Sequence, residues 1–116
     1  MLWNVDPALP TPLFEQVAAT IRGAVTSGAL RTGERLPAAR ELADALDVNV
    51  HTVLRAYQAV RDEGVIELRR GRGAVVVGEP DQTRLRLLVR DLVAEAGRNG
   101  LALDDLVPLL RAEGAS

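Results

Sequence analysis

All fourteen basic residues of this 116-residue chain are arginines, at positions that include Arg40, Arg55 and the close trio Arg69, Arg70 and Arg72. A guanidinium is planar, always charged, and able to bond in two-point fashion to a carboxylate, a phosphate or the edge of a guanine. His51 stands one helical turn before Arg55 and is the only histidine. Coding bias in a GC-rich genome would produce the same absence of lysine, so the chemistry rests on where the arginines sit. Sixteen acidic residues give a net charge of −2, which excludes an indiscriminate binder of polyanions. Residues 1–78 carry nine arginines against nine acids and residues 79–116 five against seven, so the N-terminal part is the less acidic.

Other chemistries are poorly supplied. Without cysteine there is no disulfide framework, zinc ribbon or thiol nucleophile, which fits a reducing compartment. One histidine lacks the partners that a histidine-based metal site or catalytic triad needs. We therefore expect no cofactor, no metal and no enzymatic activity. No apolar run approaches the ~18 residues of a membrane span, and the first ten residues lack the basic and apolar regions of a secretion signal. The expectation is a cytoplasmic protein with no membrane partner. Apolar residues at 47% and charged residues at 26% describe an ordinary globular chain, small enough to gain from self-association.

The elements that must position these side chains follow from periodicity. Residues 1–11, with Pro7 and Pro10, read as an extended arm. Thr11 can cap a helix with Pro12 at its first position, and Phe14, Val17, Ile21 and Val25 then recur on one helical face until Gly28. Leu30, Gly33 and Leu36-Pro37 form a compact turn region, followed by a short helix marked by Leu42, Ala43 and Leu46. Asp47-Val48-Asn49 permits only a tight link. Asn49 is a good cap for a third helix with inner face Val53, Ala56, Tyr57 and Val60, ended by Gly64. At 100° per residue, His51, Arg55, Gln58 and Asp62 fall on its solvent side. Residues 65–69 and 74–77 read as two strands around Arg70-Gly71-Arg72-Gly73, a glycine-punctuated hairpin tip.

Helix, helix, tight turn, helix and hairpin is the order of a winged helix-turn-helix. The fold class is therefore mainly α with a small β-hairpin, with the winged domain over 1–78 and a linker at Gly78-Glu79-Pro80. Residues 79–116 are then a short helical dimerisation segment. Leu85, Leu88, Leu92 and Ala96 recur at offsets of 3, 7 and 11 on a helix ending near Gly97 to Gly100, with Val89 and Val93 widening the apolar face. Such helices cannot bury their faces alone, so they dock onto the winged domain or onto a second copy of the chain. The last helix begins near Leu103 and is kinked by Pro108, or begins near Asp105 with Asp104 as its cap.

The sequence resembles the GntR family of bacterial transcription regulators through Pro12-Leu13-Phe14, Gln16-Val17, Gly28-Ala29-Leu30, Gly33-Glu34, Leu36-Pro37, Arg40-Glu41-Leu42-Ala43, Leu46 and Val48-Asn49. It continues through Thr52-Val53, Arg55-Ala56-Tyr57, Glu63-Gly64 and Gly71-Arg72-Gly73. The short tail is similar to that of the YtrA-type subfamily, whose C-terminal helices serve dimerisation. The resemblance implies a sequence-specific regulator, a repressor, binding a near-palindromic operator in double-stranded DNA as a homodimer. An unidentified small-molecule effector would have to act without the effector-binding domain of larger subfamilies.

On that resemblance Arg40 reaches the DNA, unless it bridges to Asp44 one turn later. Asn49 and Thr52 meet phosphates at the positive end of the recognition helix, although capping equally explains Asn49. Arg55 and His51 contact DNA from the exposed face, the alternative for Arg55 being a bridge to Asp62 or Glu63. Arg70, Arg72 and Gly73 form a wing tip that suits a narrow minor groove, where the bland alternative is a solvated turn. Position 50 is Val where many relatives have a polar, basic or Pro residue, and position 38 is Ala where Ser is frequent. Val50 could touch a thymine methyl group. The alternative function is a winged-helix protein-interaction module without specific DNA binding, which would show no salt-sensitive affinity for DNA.

Overall fold

The computed structural model describes residues 3–114, so Met1 and Leu2 of the expected arm lie outside the described residues. Its elements are α1 (Leu13–Ser27), α2 (Ala39–Leu46), α3 (Val50–Asp62), β1 (Ile66–Arg69), β2 (Gly73–Val76), α4 (Pro80–Arg98) and α5 (Leu103–Gly114). The strands pair antiparallel from Ile66↔Val76 to Arg69↔Gly73. Winged helix-turn-helix topology and a mainly helical class with one hairpin are thus what the chain forms. Two compact units divide after Thr83.

In the first unit the core is built from the helical faces expected from periodicity. Val17, Ile21 and Val25 of α1 meet Leu42 and Ala43 of α2 and Val53, Ala56 and Val60 of α3, all nearly inaccessible to solvent. Each such aliphatic side chain contributes roughly 1.5–3 kcal/mol when fully buried. The helix ends are closed locally. After α2, Asp47 takes a left-handed conformation (φ 54°), its N–H donates to the Asp44 carbonyl, and the Val48 N–H donates to the Ala43 carbonyl. That paired closure turns the chain sharply enough for α3 to start at once. After α3, Gly64 and Val65 close onto Arg61 and Val60 in the same way.

Several local expectations are revised. Pro12, not Thr11, occupies the cap position of α1, and no side chain caps that end. Pro12's carbonyl instead accepts from the Glu15 and Gln16 N–H groups. The arm is not freely extended. It turns at Asp6 to Leu9 and is held by Gln16, whose Oε1 accepts from the Asp6 N–H (2.8 Å) and whose Nε2 donates to the Asp6 and Thr11 carbonyls. Trp3 and Val5 pack against the core. The turn region before α2 also does more than turn: Gly33 and Leu36 donate to Val76 and Ala74, and Glu34 accepts from Val76, adding a short edge to the hairpin.

The expected linker at 78–80 is packed rather than loose. Val77 and Gly78 both donate to the Val65 carbonyl, and a Cβ on Gly78 would lie 3.1 Å from the Val65 Cα. Thr83 is buried, so the first turn of α4 belongs to the winged unit and the division falls after it.

In the second unit α4 ends in a paired closure, Leu101 donating to Ala96 and Gly100 (φ 70°) to Gly97. α5 starts at Leu103 and continues through Pro108, which settles its two alternative starts. Asp105 Oδ2 accepts from the Ala102 N–H at 2.8 Å while the Asp105 N–H donates to the Ala102 carbonyl, a reciprocal cap that fixes the start. Among the described residues no helix is long and apolar enough to cross a membrane.

Candidate nucleic-acid interface

The second helix-turn-helix element, α3, presents its polar side to solvent: His51, Arg55, Gln58 and Asp62 are all exposed. Asn49 caps it, Oδ1 accepting from the His51 N–H at 2.8 Å. Capping therefore accounts for that oxygen, while the amide donors of Asn49, an exposed residue, have no partner among the described residues. Asn49, His51, Thr52 and Arg55 line one hollow together with Leu13 and Phe14 of α1. The N-terminal half of α3, where unpaired backbone N–H groups favour anions, thus shares a surface with the start of α1.

Arg55 does not bridge to either proposed acid. Its guanidinium carbon lies 3.8 Å above the Phe14 ring centre. Asp62 contacts Arg61, and Glu63 is held by Arg22. Stacking on an aromatic face steadies the guanidinium while its N–H edge stays free to donate. Arg40 is exposed in the first turn of α2 and forms no side-chain hydrogen bond or ion pair among the described residues, so the bridge to Asp44 is not made.

At the wing, Arg69 pairs with Glu67 (2.8 Å), whereas Arg70 and Arg72 are exposed with no side-chain hydrogen bond or ion pair among the described residues. Gly71 (φ 78°) and Gly73 (φ 73°) are both left-handed, a conformation that costs other residues about 1–2 kcal/mol. Arg70 and Gly73 line a second hollow with Pro37, Ala38 and Leu54. Arg40 and Arg72 line neither hollow. The structure therefore brings four candidate residues together at α3 and two at the wing base, and leaves the other two exposed nearby in chain order.

Four features escaped sequence reasoning. Phe14 belongs to the apolar stripe of α1 and also carries Arg55. Leu54 is exposed on the recognition helix, although an apolar residue there gives no sign of its partner. Arg22 is buried and donates to Glu63 (2.6 and 2.7 Å) and Glu15 (2.7 Å), tying α1 to the end of α3. Burial opposes its charge, but those hydrogen bonds and the two carboxylate charges outweigh it and raise its pKa above the ordinary arginine value. An arginine four residues after buried Ala18 was the available signal. Tyr57 likewise anchors α3 to the start of α2, its hydroxyl donating to the Pro37 carbonyl at 2.6 Å. Burial first, and then the charge of Glu41, push its pKa above the usual phenol range.

In the second unit, Leu85, Leu88 and Leu92 are exposed at 62%, 59% and 36%, but Ala96 is not one of that set. It is buried at 5%, as is Leu106 at 6%, so Ala96 has no surface left to offer a second chain in this conformation.

Comparison with known proteins agrees with this geometry. The HTH-type transcriptional repressor YtrA of Bacillus subtilis is 31% identical over 110 residues, covering 89% of this chain and 85% of its own. The structure of YtrA from Sulfolobus acidocaldarius, a GntR-family transcription factor, superposes with a TM-score of 0.62 at 37% identity, over 78% of this chain and 95% of that one. The AraR DNA-binding domain in complex with operator ORX1 shares the fold (TM-score 0.59, 22% identity, 66% of this chain and 96% of that one). The pattern of the bacterial regulatory proteins of the gntR family matches residues 13–76, from the start of α1 to the end of the wing. The chain is a member of that family, a DNA-binding transcription regulator of the winged helix-turn-helix type.

Proposed function

We propose that this protein is a cytoplasmic repressor that binds a near-palindromic operator as a homodimer, one winged unit on each half-site. The observation that carries the reading is the polar set on α3 and the wing: exposed Asn49, His51 and Arg55 with half-buried Thr52 around one hollow, and exposed Arg70 and Arg72 without acidic partners among the described residues. On a chain of net charge −2, such a concentration of free donors is a local anion-binding surface. In this arrangement α3 enters the major groove, Arg40 pairs with a base edge or phosphate, and the wing tip tracks the minor groove or backbone, Gly73 allowing close approach. The repressor role follows the name of the Bacillus subtilis relative, and residues 79–116 act as the dimerisation segment through Leu85, Leu88 and Leu92. A small-molecule effector would act by changing dimer geometry.

Selection of bound sequences from a random duplex pool tests the reading. The expected outcome is an enriched two-fold sequence whose log affinity falls with log salt by about 0.9 per phosphate neutralised. Absence of enrichment, or affinity indifferent to salt, would favour a protein-interaction module instead.

A further inference from the structure

Leu54 is the one large aliphatic side chain of α3 that is substantially exposed (40%), and it does not belong to the core face formed by Val53, Ala56, Tyr57 and Val60. It lines the hollow between α3, the start of α2 and the wing, with Pro37, Ala38 and Ala39 on one side and Leu68, itself 47% exposed, on the other. Arg69 and Arg70 also line it, Arg69 paired with Glu67 and Arg70 without an ion-pair partner among the described residues, and no acidic residue lines the hollow. An apolar lining with a cationic edge is a poor match for a basic or a wholly apolar partner. It suits a surface that is apolar at one point and anionic around it.

Duplex DNA offers that combination at the C5-methyl group of thymine, the apolar feature of the major groove, flanked by phosphates. We propose that Leu54 is a specificity-determining residue that packs against a thymine methyl in each operator half-site, with Ala38 as the opposite wall of the contact. This inference rests on operator binding through α3. It makes the two flanks of the helix read different things: Thr52 and Arg55 donate hydrogen bonds on the Phe14 side, and Leu54 senses a methyl on the wing side. Ala38 contributes by being small and apolar, leaving room for the methyl between α2 and α3.

The test uses the full chain and the duplex enriched from the random pool. Each thymine is replaced in turn by deoxyuridine, which removes the methyl and keeps base pairing. For the unaltered protein, one symmetric pair of positions should lose about fourfold in affinity per half-site, the value of one buried methyl-sized group. Leu54→Ala should bind the thymine and deoxyuridine duplexes alike, while Leu54→Met, which keeps apolar reach, should retain the discrimination. Being exposed, position 54 tolerates both changes without loss of the fold, which circular dichroism verifies. An enriched duplex whose affinity is unchanged by every deoxyuridine, or equal discrimination by Leu54→Ala, would overturn the thymine contact alone. A pool without enrichment would overturn operator binding and this contact together.

Discussion

Asn49 illustrates how one side chain can serve stability and recognition through different atoms. Its Oδ1 accepts from the His51 N–H, which satisfies one orphan donor at the start of α3. Its amide N–H groups are the atoms suited to a phosphate. The two roles are separable because aspartate can cap equally well and can donate nothing. Asn49→Ala should lower stability by about 1 kcal/mol through loss of the cap. Asn49→Asp should leave stability close to the starting value while weakening DNA binding, since a carboxylate would face the backbone phosphates. Urea denaturation of both variants beside titration of the enriched duplex checks the pair. Equal DNA affinity for Asn49→Asp and the unaltered chain would confine Asn49 to capping. Arg55 works in a complementary way, gaining its fixed direction from Phe14 in a different helix rather than from a neighbouring acid.

At the scale of elements, the tight link between α2 and α3 sets the angle at which the recognition helix is presented. It depends on Asp47 at φ 54°, the single non-glycine residue with positive φ among the described residues. Aspartate tolerates this region better than most, and a β-branched residue tolerates it worst. Asp47→Val should therefore destabilise the chain by about 1–2 kcal/mol. Asp47→Gly should raise stability by less than about 1 kcal/mol, because glycine relieves the strain but adds freedom to the unfolded chain. A shift in the urea midpoint in the same direction for both would remove the turn as the cause. The three helices and the hairpin of the winged unit were legible because apolar spacing, Asn49, Gly28 and Gly64 are local signals. The edge pairing of Gly33 to Leu36 was not, since its hydrogen bonds exist only once β2 is in place. The same holds for the site. Residue types and the exposed face of α3 could be read from spacing, whereas the stacking of Arg55 on Phe14, the Arg22 ion cluster and the exposure of Leu54 arise from packing between distant segments.

For the molecule as a whole, the unsolved surface is the apolar side of α4. Leu85, Leu88, Val89 and Val93 are each at least 44% exposed and Leu92 is 36% exposed, a concentration of apolar area that soluble chains seldom leave to water. Ala96 lies beyond this set because it is buried. A two-fold pairing of α4 helices would bury Leu85, Leu88 and Leu92 twice over, at roughly 1.5–3 kcal/mol per fully buried leucine. The Leu88→Glu, Leu92→Glu double variant of the full chain places charges in the middle of that face without touching the core of the winged unit. It should sediment as a monomer at micromolar concentration and keep its helical content. Its affinity for the two-fold operator should fall by roughly 10²–10⁴-fold, because the second half-site is no longer bound by a tethered neighbour. Affinity for an isolated half-site should change little, which distinguishes loss of pairing from damage to α3 or the wing. A dimer that persists in sedimentation would place the interface on another surface and leave the α4 leucines to a different partner.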